Sequence, residues 1–457
     1  MAQLADSITR FLCDVNPVNV PPEALQTAAN GFTDCVGVML AAAAEPLTLN
    51  LKTHIVAQDR PMDCRLMLSS LRGSAAQATL LGTAAAHALD YDDYAFSNHV
   101  SALLVPAILA ECDRAPRSGR DMLIAYVAGM EIWGTLMKRE PDHLHSKGWH
   151  PTGVFGPVGV AAAVAQLRGL NPVQIVNALG LAAANGGGVM DNFGTQAKSY
   201  QGARAAEAGV VCVELALAGI DAGPNAIDGS GGLLAALSPS GRADLESPAD
   251  HLGQKWISEA EGLNIKRHPT VGASQRAIDA AIQLHDDYAP GPENIRRIIA
   301  RVSEKHAAVM RFHQPGNALE AKFSLEFGVA AGLIQGSVGL AELTDAFVTR
   351  DDVQSLMARV VLEIGPDNDP EYPVGAIADS VDVLLVDGQQ LESKPVRRFR
   401  GHGMNPMNRD ELREKFMDCS AAVIGAHTAE PLFDLLQDLG DLPASQGLPT
   451  LDLKGFS

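Results

Sequence analysis

Residues 86–104, AHALDYDDYAFSNHVSALL, set three carboxylates, Asp90, Asp92 and Asp93, and then His99 between two long apolar stretches. Carboxylates beside an imidazole are equipment for moving a proton or for holding a divalent cation. The Ala-rich run from Gly73 to Leu89 has helical composition, so Asp90 falls near its C-terminus, where the helix dipole disfavours a carboxylate. A charge placed there needs a reason. The plainer reason is a polar loop whose aspartates are solvated or cap the helix expected to start near Ser101. A metal is not expected: the loop glycine and bidentate glutamate of a calcium loop are missing, and nearby lysines compete for the carboxylates.

Four further segments collect cations and polar groups. In DHLHSKGWHPTGVFG, His143, His145, Lys147 and His150 crowd together, but only His150 sits in a Gly-framed turn directly before an apolar helix. A ring nitrogen there can meet an anion together with free backbone N–H groups, whereas a surface loop with incidental histidines is the alternative. DNFGTQAKSYQGARAAEAG puts Lys198 and Arg204 around small residues, where a lysine serves as a carboxylate ligand or is simply solvated. NIKRHPTVGASQRAIDAA places Lys266, Arg267 and His268 at a change of sequence texture; ligand clefts favour such boundaries, and a charged linker is the competing reading. FRGHGMNPM, at 399–407, is a Gly/Pro-framed loop in which His402 is as readily structural as functional.

The elements that must position these groups divide into two textures. Up to about Leu263 the chain is rich in Ala, Leu and Gly, and apolar periodicity predicts helices at 22–44, 73–89, 101–113, 119–138, 153–168, 172–186 and 202–219. From about Ile265, RRIIARVS, ARVVLEIG and SVDVLLVDG (296–303, 358–365 and 380–388) alternate as strands, with helical stretches at 272–286, 317–336 and 340–346. After Arg400 the pattern is helical again, opening with Asn408-Arg409-Asp410-Glu411 as a capping box before 409–425. The expected architecture is mainly α with a second α+β domain: a discontinuous helical domain of 1–263 and 401–457, and an α+β domain of 264–400.

At 457 residues two domains are the natural starting point, and 47% hydrophobic with 19% charged residues describes a well-buried chain. A net charge of −19 repels phosphate backbones and anionic membrane surfaces, so neither nucleic acid nor a membrane is expected as a partner. If the substrate is itself an anion, its site must gather the few cations locally. The six cysteines are widely spaced and suit no zinc or iron–sulfur pattern, so buried reduced thiols are expected. The N-terminal segment lacks a secretory pattern and no apolar run is long enough to span a bilayer, which places the chain in the cytoplasm.

HALDYDDYAFSNHVSALLVPAILA, GWHPTGVFGPVGVAAAVAQLRGL, NFGTQAKSYQGARAAEAG, the Lys266-Arg267-His268-Pro269 turn, AKFSLEFGVAAGLIQGSVGL and GHGMNPM occur in an order and spacing that resembles the MmgE/PrpD family. That family includes 2-methylcitrate dehydratase, cis-aconitate decarboxylase and iminodisuccinate epimerase. The resemblance implies a large helical domain, a smaller α+β lid, a homodimer, and an active site between the domains. It also implies a catalytic set of Asp90, His99, His150, Lys198 and Lys266, with Tyr94, Gln201, Arg204, Arg267, His268 and Phe327 as substrate contacts. Such a set suits binding a small di- or tricarboxylate and moving a proton on the carbon beside a carboxylate, without metal or redox cofactor.

Departures from the family pattern bear on which reaction is run. Tyr94 stands where Thr is common, the H-P-S segment reads His99-Val100-Ser101, Gln201 replaces a histidine, and Phe327 occupies the position that is Tyr in the decarboxylase. The missing phenol argues against decarboxylation, and the expected activity is a 2-methylcitrate dehydratase-like lyase. An epimerase of a four-carbon dicarboxylate, or a remodelled member acting on an unusual acid, are the alternatives.

Overall fold

The computed structural model describes residues 3–58, 62–371 and 375–456, which form two compact units. Unit 1 comprises residues 1–88, 92–263 and 409–457, and unit 2 comprises residues 89–91 and 264–408. The sequence texture put the second boundary at 400/401; the turn at 401–408 belongs instead to unit 2, as does the short piece 89–91.

Unit 1 runs through α1 (Gln3–Asp14), α2 (Pro22–Ala41), α3 (Pro46–Val56), a short antiparallel hairpin of β1 (Cys64–Arg65) and β2 (Arg72–Gly73), α4 (Ala75–Ala88), α5 (Val100–Arg114), α6 (Gly119–Met137), α7 (Pro151–Arg168), α8 (Pro172–Ala183), α9 (Gln196–Leu217), and the short α10 (Leu233–Leu237) and α11 (Ile257–Ala260). Start signals in the sequence are used directly. Ser118 and Asp121 form a capping box at α6, and Asn171 and Gln174 another at α8, each ahead of an apolar run.

Helix α7 lies at the centre, and every residue except Gln166 and Arg168 is buried. It is apolar on all sides because neighbouring helices surround it. Close packing depends on small residues: a Cβ at Gly159 would lie 2.5 Å from the Trp133 ring, and one at Gly129 only 2.9 Å from both Ala163 Cβ and the Gly159 carbonyl. Helices α6 and α7 therefore approach to backbone contact distance, which larger side chains would forbid.

Unit 2 contains α12 (Gln275–Tyr288), β3 (Ile295–Ser303), α13 (Glu304–Val309), α14 (Ala318–Ala321), α15 (Leu325–Gln335), α16 (Asp345–Val348), α17 (Asp351–Met357), β4 (Val360–Gly365), β5 (Ser380–Leu385) and β6 (Gln390–Glu392). The sheet order is β4-β3-β5-β6, with β3 parallel to β4 and antiparallel to β5. Alternation on β3 sends Ile295, Ile298, Ala300 and Val302 into a core shared with α12 and α15. The chain then returns to unit 1 with α18 (Arg409–Ile424) and α19 (Ala426–Gln437).

Several boundaries differ from periodicity. The stretch 317–336 is two helices, because Ser324 accepts the Phe327 N–H and starts α15 afresh. No helix forms over 340–344, and α16 begins only after the Thr344 cap. Helix α9 begins at Gln196, not 202, since Thr195 caps a polar first turn that an apolar pattern cannot reveal. Four cysteines are buried, Cys112 is half-buried, and Cys13 is exposed, which corrects the expectation of six buried thiols. Among the described residues no single helix is long and apolar enough to cross a membrane.

One buried ion pair ties the returning segment to the rest of unit 1. Lys415 on α18 reaches Asp34 on α2 at 2.5 Å, with both side chains almost wholly removed from solvent. Asp34 also accepts the Asp93 backbone N–H at 3.0 Å. Lys415→Ala would leave Asp34 as an uncompensated buried charge, at an expected cost of about 3–5 kcal/mol read as a lower urea midpoint. The double variant Asp34→Asn, Lys415→Met should recover most of that loss.

Candidate active site

Helix α4 ends at Ala88, and the chain turns sharply because Asp90 adopts φ +53°. The following segment closes on itself: Ala95 and Asn98 exchange backbone hydrogen bonds of 2.9 and 2.8 Å, while Phe96 and Ser97 occupy the left-handed region. Non-glycine residues in that region are strained and persist only where the surroundings impose them. Here Phe96 packs against Trp133 and Asn98 is fully buried. The expectation of solvated or capping aspartates fails. Asp90, Asp92 and Asp93 are all buried, and the cap position of α5 is His99, whose ring makes no capping bond.

Asp92 is the centre of the unit 1 cluster. Its carboxylate meets His87 Nδ1 at 3.1 Å and His99 Nδ1 at 2.8 Å, and the two rings lie 4.2 Å apart. Burial alone would raise this carboxyl, but the His99 and His87 charges and their hydrogen bonds outweigh it and hold it well below the usual carboxylate range. An ionised carboxylate only accepts, so both imidazoles donate Nδ1–H to it and turn their Nε2 atoms the other way. Neighbouring Asp93 behaves oppositely. Burial and the nearby Asp34 charge push it well above its usual value.

His150 opens α7, held by a glycine clamp. Its N–H donates to the Gly188 carbonyl at 3.0 Å, and Gly187 N–H donates to Gly153 O at 3.0 Å. A Cβ at Gly153 would fall 2.1 Å from the Gly187 carbonyl oxygen, so only glycine fits there. The His150 ring is buried, stacks near-parallel to His87 at 5.9 Å, and meets the Phe193 edge at 5.1 Å. Lys198, on the first turn of α9, is buried with its ammonium 5.3 Å from the Phe193 ring centre. Burial, then His87 and Lys198, hold His150 well below its ordinary value; burial, then His143 and Lys198, hold His145 down to about 4.

Unit 2 carries the other predicted residues. Lys266 Nζ lies 3.2 Å from the Asp90 carboxylate and 2.5 Å from the Asp90 carbonyl, with both side chains buried. The Tyr91 hydroxyl donates to the Arg267 carbonyl at 3.0 Å, while the Arg267 side chain is exposed. His268 spends both ring nitrogens inside unit 2, on Val338 O at 3.0 Å and Asp279 at 3.1 Å. Phe327 is fully buried edge-on to Phe347.

In unit 1, His99, His150, Lys198 and Gln201 are brought together, Tyr94 is half-buried, and Arg204 lies apart. Arg204 is exposed and paired with Glu207 on its own helix. Sequence reasoning missed His87 altogether and, having noted Asp92 in the acidic cluster, left it out of the catalytic set. The signal was present in the five-residue spacing of His87 and Asp92, but it mattered only once the turn at Asp90 was known. Among the described residues of unit 1, His87, Asp92 and His99 lie close enough to share a cation, with candidate ligand atoms within 4.8 Å of one another. Their Nδ1 atoms are already committed to hydrogen bonds with the carboxylate.

The MmgE/PrpD N-terminal domain matches residues 6–246, and the MmgE/PrpD C-terminal domain matches residues 268–439. The chain belongs to the MmgE/PrpD family. Its large helical and smaller α+β units are the two-domain architecture of MmgE/PrpD proteins. The human cis-aconitate decarboxylase is 28% identical over 395 residues, covering 83% of this chain and 79% of that protein. The mouse cis-aconitate decarboxylase is 28% identical over 397 residues, at 83% and 78% coverage. A cis-aconitate decarboxylase-like protein of Aspergillus oryzae is 27% identical over 449 residues, at 92% and 91% coverage.

Two expectations follow from this geometry. Gly153→Ala should cost about 1–3 kcal/mol of stability and loosen His150, seen as a lower melting temperature. The pH dependence has a definite sign: the folded state keeps His145 and His150 neutral, whereas the unfolded chain protonates them near 6.5. Stability from these two therefore falls as pH drops below that value, on through about 4 for His145. Asp93 acts in the opposite sense, since a raised carboxyl favours folding as pH falls. Urea denaturation at about pH 7.5 and about pH 5.5, with His150→Gln alongside, isolates the histidine: the variant should lose less stability between the two.

Proposed function

We propose that this protein is a cofactor-independent lyase of a small tricarboxylate, with decarboxylation of a cis-aconitate-like acid as its reaction; this departs from the dehydratase expected from Phe327, because that ring is packed in the unit 2 core against Phe347 and His99 can deliver the proton in place of a phenol. The observation that carries the reading is the Asp92 carboxylate holding His99 and His87 by Nδ1, with buried Lys198 in the same unit. The ionised carboxylate stabilises an imidazolium on His99, whose Nε2–H is then a proton source. As the bond to the departing carboxylate breaks, CO2 leaves and its electron pair stays on carbon, spread onto the adjoining unsaturated acid. His99 delivers the proton to that carbon and is left neutral. Lys198 neutralises a retained carboxylate. The names of the relatives support decarboxylation over other chemistries on this kit.

Dehydration of a 2-methylcitrate-like acid is the second reading, favoured by the same Asp92–His99 pair. A neutral His99, its Nδ1–H on Asp92, presents Nε2 as a base for the proton beside a carboxylate. Homodimerisation belongs to the proposal on the family resemblance alone.

Proton NMR in D2O with cis-aconitate, 2-methylcitrate and citrate decides between the readings. An unsaturated dicarboxylate carrying deuterium at the carbon that lost CO2 is expected from cis-aconitate. A new alkene from 2-methylcitrate alone would install the dehydratase, and no change with any acid from folded protein would overturn both. His99→Gln is expected to lower kcat by about 10²–10⁴-fold. Lys198→Ala should act mainly on KM, raising it about tenfold or more. Chelator treatment should leave turnover unchanged.

A further inference from the structure

Gln201 sits where the family commonly has histidine, and its amide orientation is fixed by unambiguous partners. The Val189 backbone N–H, which can only donate, lies 2.9 Å from one amide atom, so that atom is Oε1. The Asn192 side-chain amide donates to the same oxygen at 2.6 Å. The other amide atom, Nε2, lies 3.3 Å from the Val189 carbonyl, which can only accept, and 3.3 Å from His150 Nδ1. Hydrogen bonds at both ends thus prevent the amide from flipping.

An N–H pointed at Nδ1 requires a lone pair there. In a neutral imidazole the proton then resides on Nε2. That atom is buried and, among the described residues, has no hydrogen-bond partner. Gly188 makes the arrangement possible: at φ +109° it passes between the two side chains, and a Cβ there would lie 3.4 Å from both Gln201 and His150. His87, Lys198, His99 and His145 around the ring are basic and oppose a second proton on His150, while the nearby Asp92 carboxylate is already engaged by His87 and His99.

We infer that Gln201 is a positioning residue that locks His150 as a neutral Nε2–H donor, giving the substrate an electrophilic hydrogen bond and not an acid or base. A neutral imidazole losing Nε2–H would become an imidazolate, which is far too basic to form near neutral pH. Its use is to donate to an oxygen on which negative charge grows, such as the enediolate-like carboxylate of a decarboxylation or an α-deprotonation. Proton transfer then falls to the opposite tautomer, on the Asp92-bound imidazoles. The inference rests on the lyase reading only for the identity of that oxygen. The tautomer itself is a property of the resting protein.

The test is long-range proton–nitrogen NMR of the full chain with labelled histidine and no substrate, His150 being assigned by its loss in His150→Gln. A pyrrole-type Nε2 and a pyridine-type Nδ1 are expected, unchanged over about pH 6 to 8. Gln201→Glu, whose carboxylate accepts from Nδ1, should exchange the two signal types. Gln201→Leu should mix the tautomers and lower kcat by about 10- to 100-fold with KM within about twofold. A wild-type pyrrole-type Nδ1, or a tautomer unmoved by both substitutions, would overturn the assignment. If the tautomer is as stated but no acid is turned over, the lyase reading fails while this inference stands.

Discussion

A carboxylate with no exposure to solvent must be compensated where it stands, and the interior of unit 1 is organised by three such groups side by side. Asp92 is balanced by two imidazoles, Asp34 by Lys415, and the Asp93 carboxyl is pushed well up by burial, towards its neutral form. Each solution constrains the next. Asp34 is committed to Lys415 and to the Asp93 backbone, so it is not free to bind a histidine. Asp92 is thereby the carboxylate that orients His87 and His99, and the orientation of those rings follows from the charge state of their shared partner.

Those charges sit among helices packed at very short range, and the packing explains the composition. Aromatic residues make up 5% of the chain, while glycine occurs 43 times. Around α7 small residues let backbone meet backbone, and the few large rings, Trp133 and Phe155 among them, are fully buried. His150 inherits its place from this economy of volume. The contact between Gly153 and the Gly187 carbonyl fixes the first turn of α7, and with it the direction of the ring. Precision of about half an ångström at a reacting group needs a rigid support of this kind.

The division into a helical part and an α+β part was legible from texture, because long Ala-rich runs and short β-branched runs have different periods. Polar helix starts such as Gln196–Gln201 were not, since a cap at Thr195 leaves no apolar signature. Of the residues that the structure gathers in unit 1 around Asp92, His99, His150 and Lys198 stood out by type and setting. His87 looked like the last polar residue of a buried helix, and its partnership with Asp92 depends on a left-handed turn at Asp90 that no propensity predicts. Arg204 had the right charge in the right segment, but helical phase turns it outward, and the phase was unknown while the helix start was misplaced. His268 was singled out as a contact for substrate, yet two internal acceptors occupy its ring.

The Lys415–Asp34 pair joins two stretches of unit 1 that are far apart along the chain. Residues 264–408 of unit 2 separate Lys415 from the part of unit 1 that carries Asp34 and Asp93. The cation that compensates Asp34 therefore comes from the last segment of the chain, and burying Asp34 beside Asp93 and Asp92 without it is unfavourable. The C-terminal helices are thus part of the electrostatic balance beneath the histidine array as well as of the helical packing.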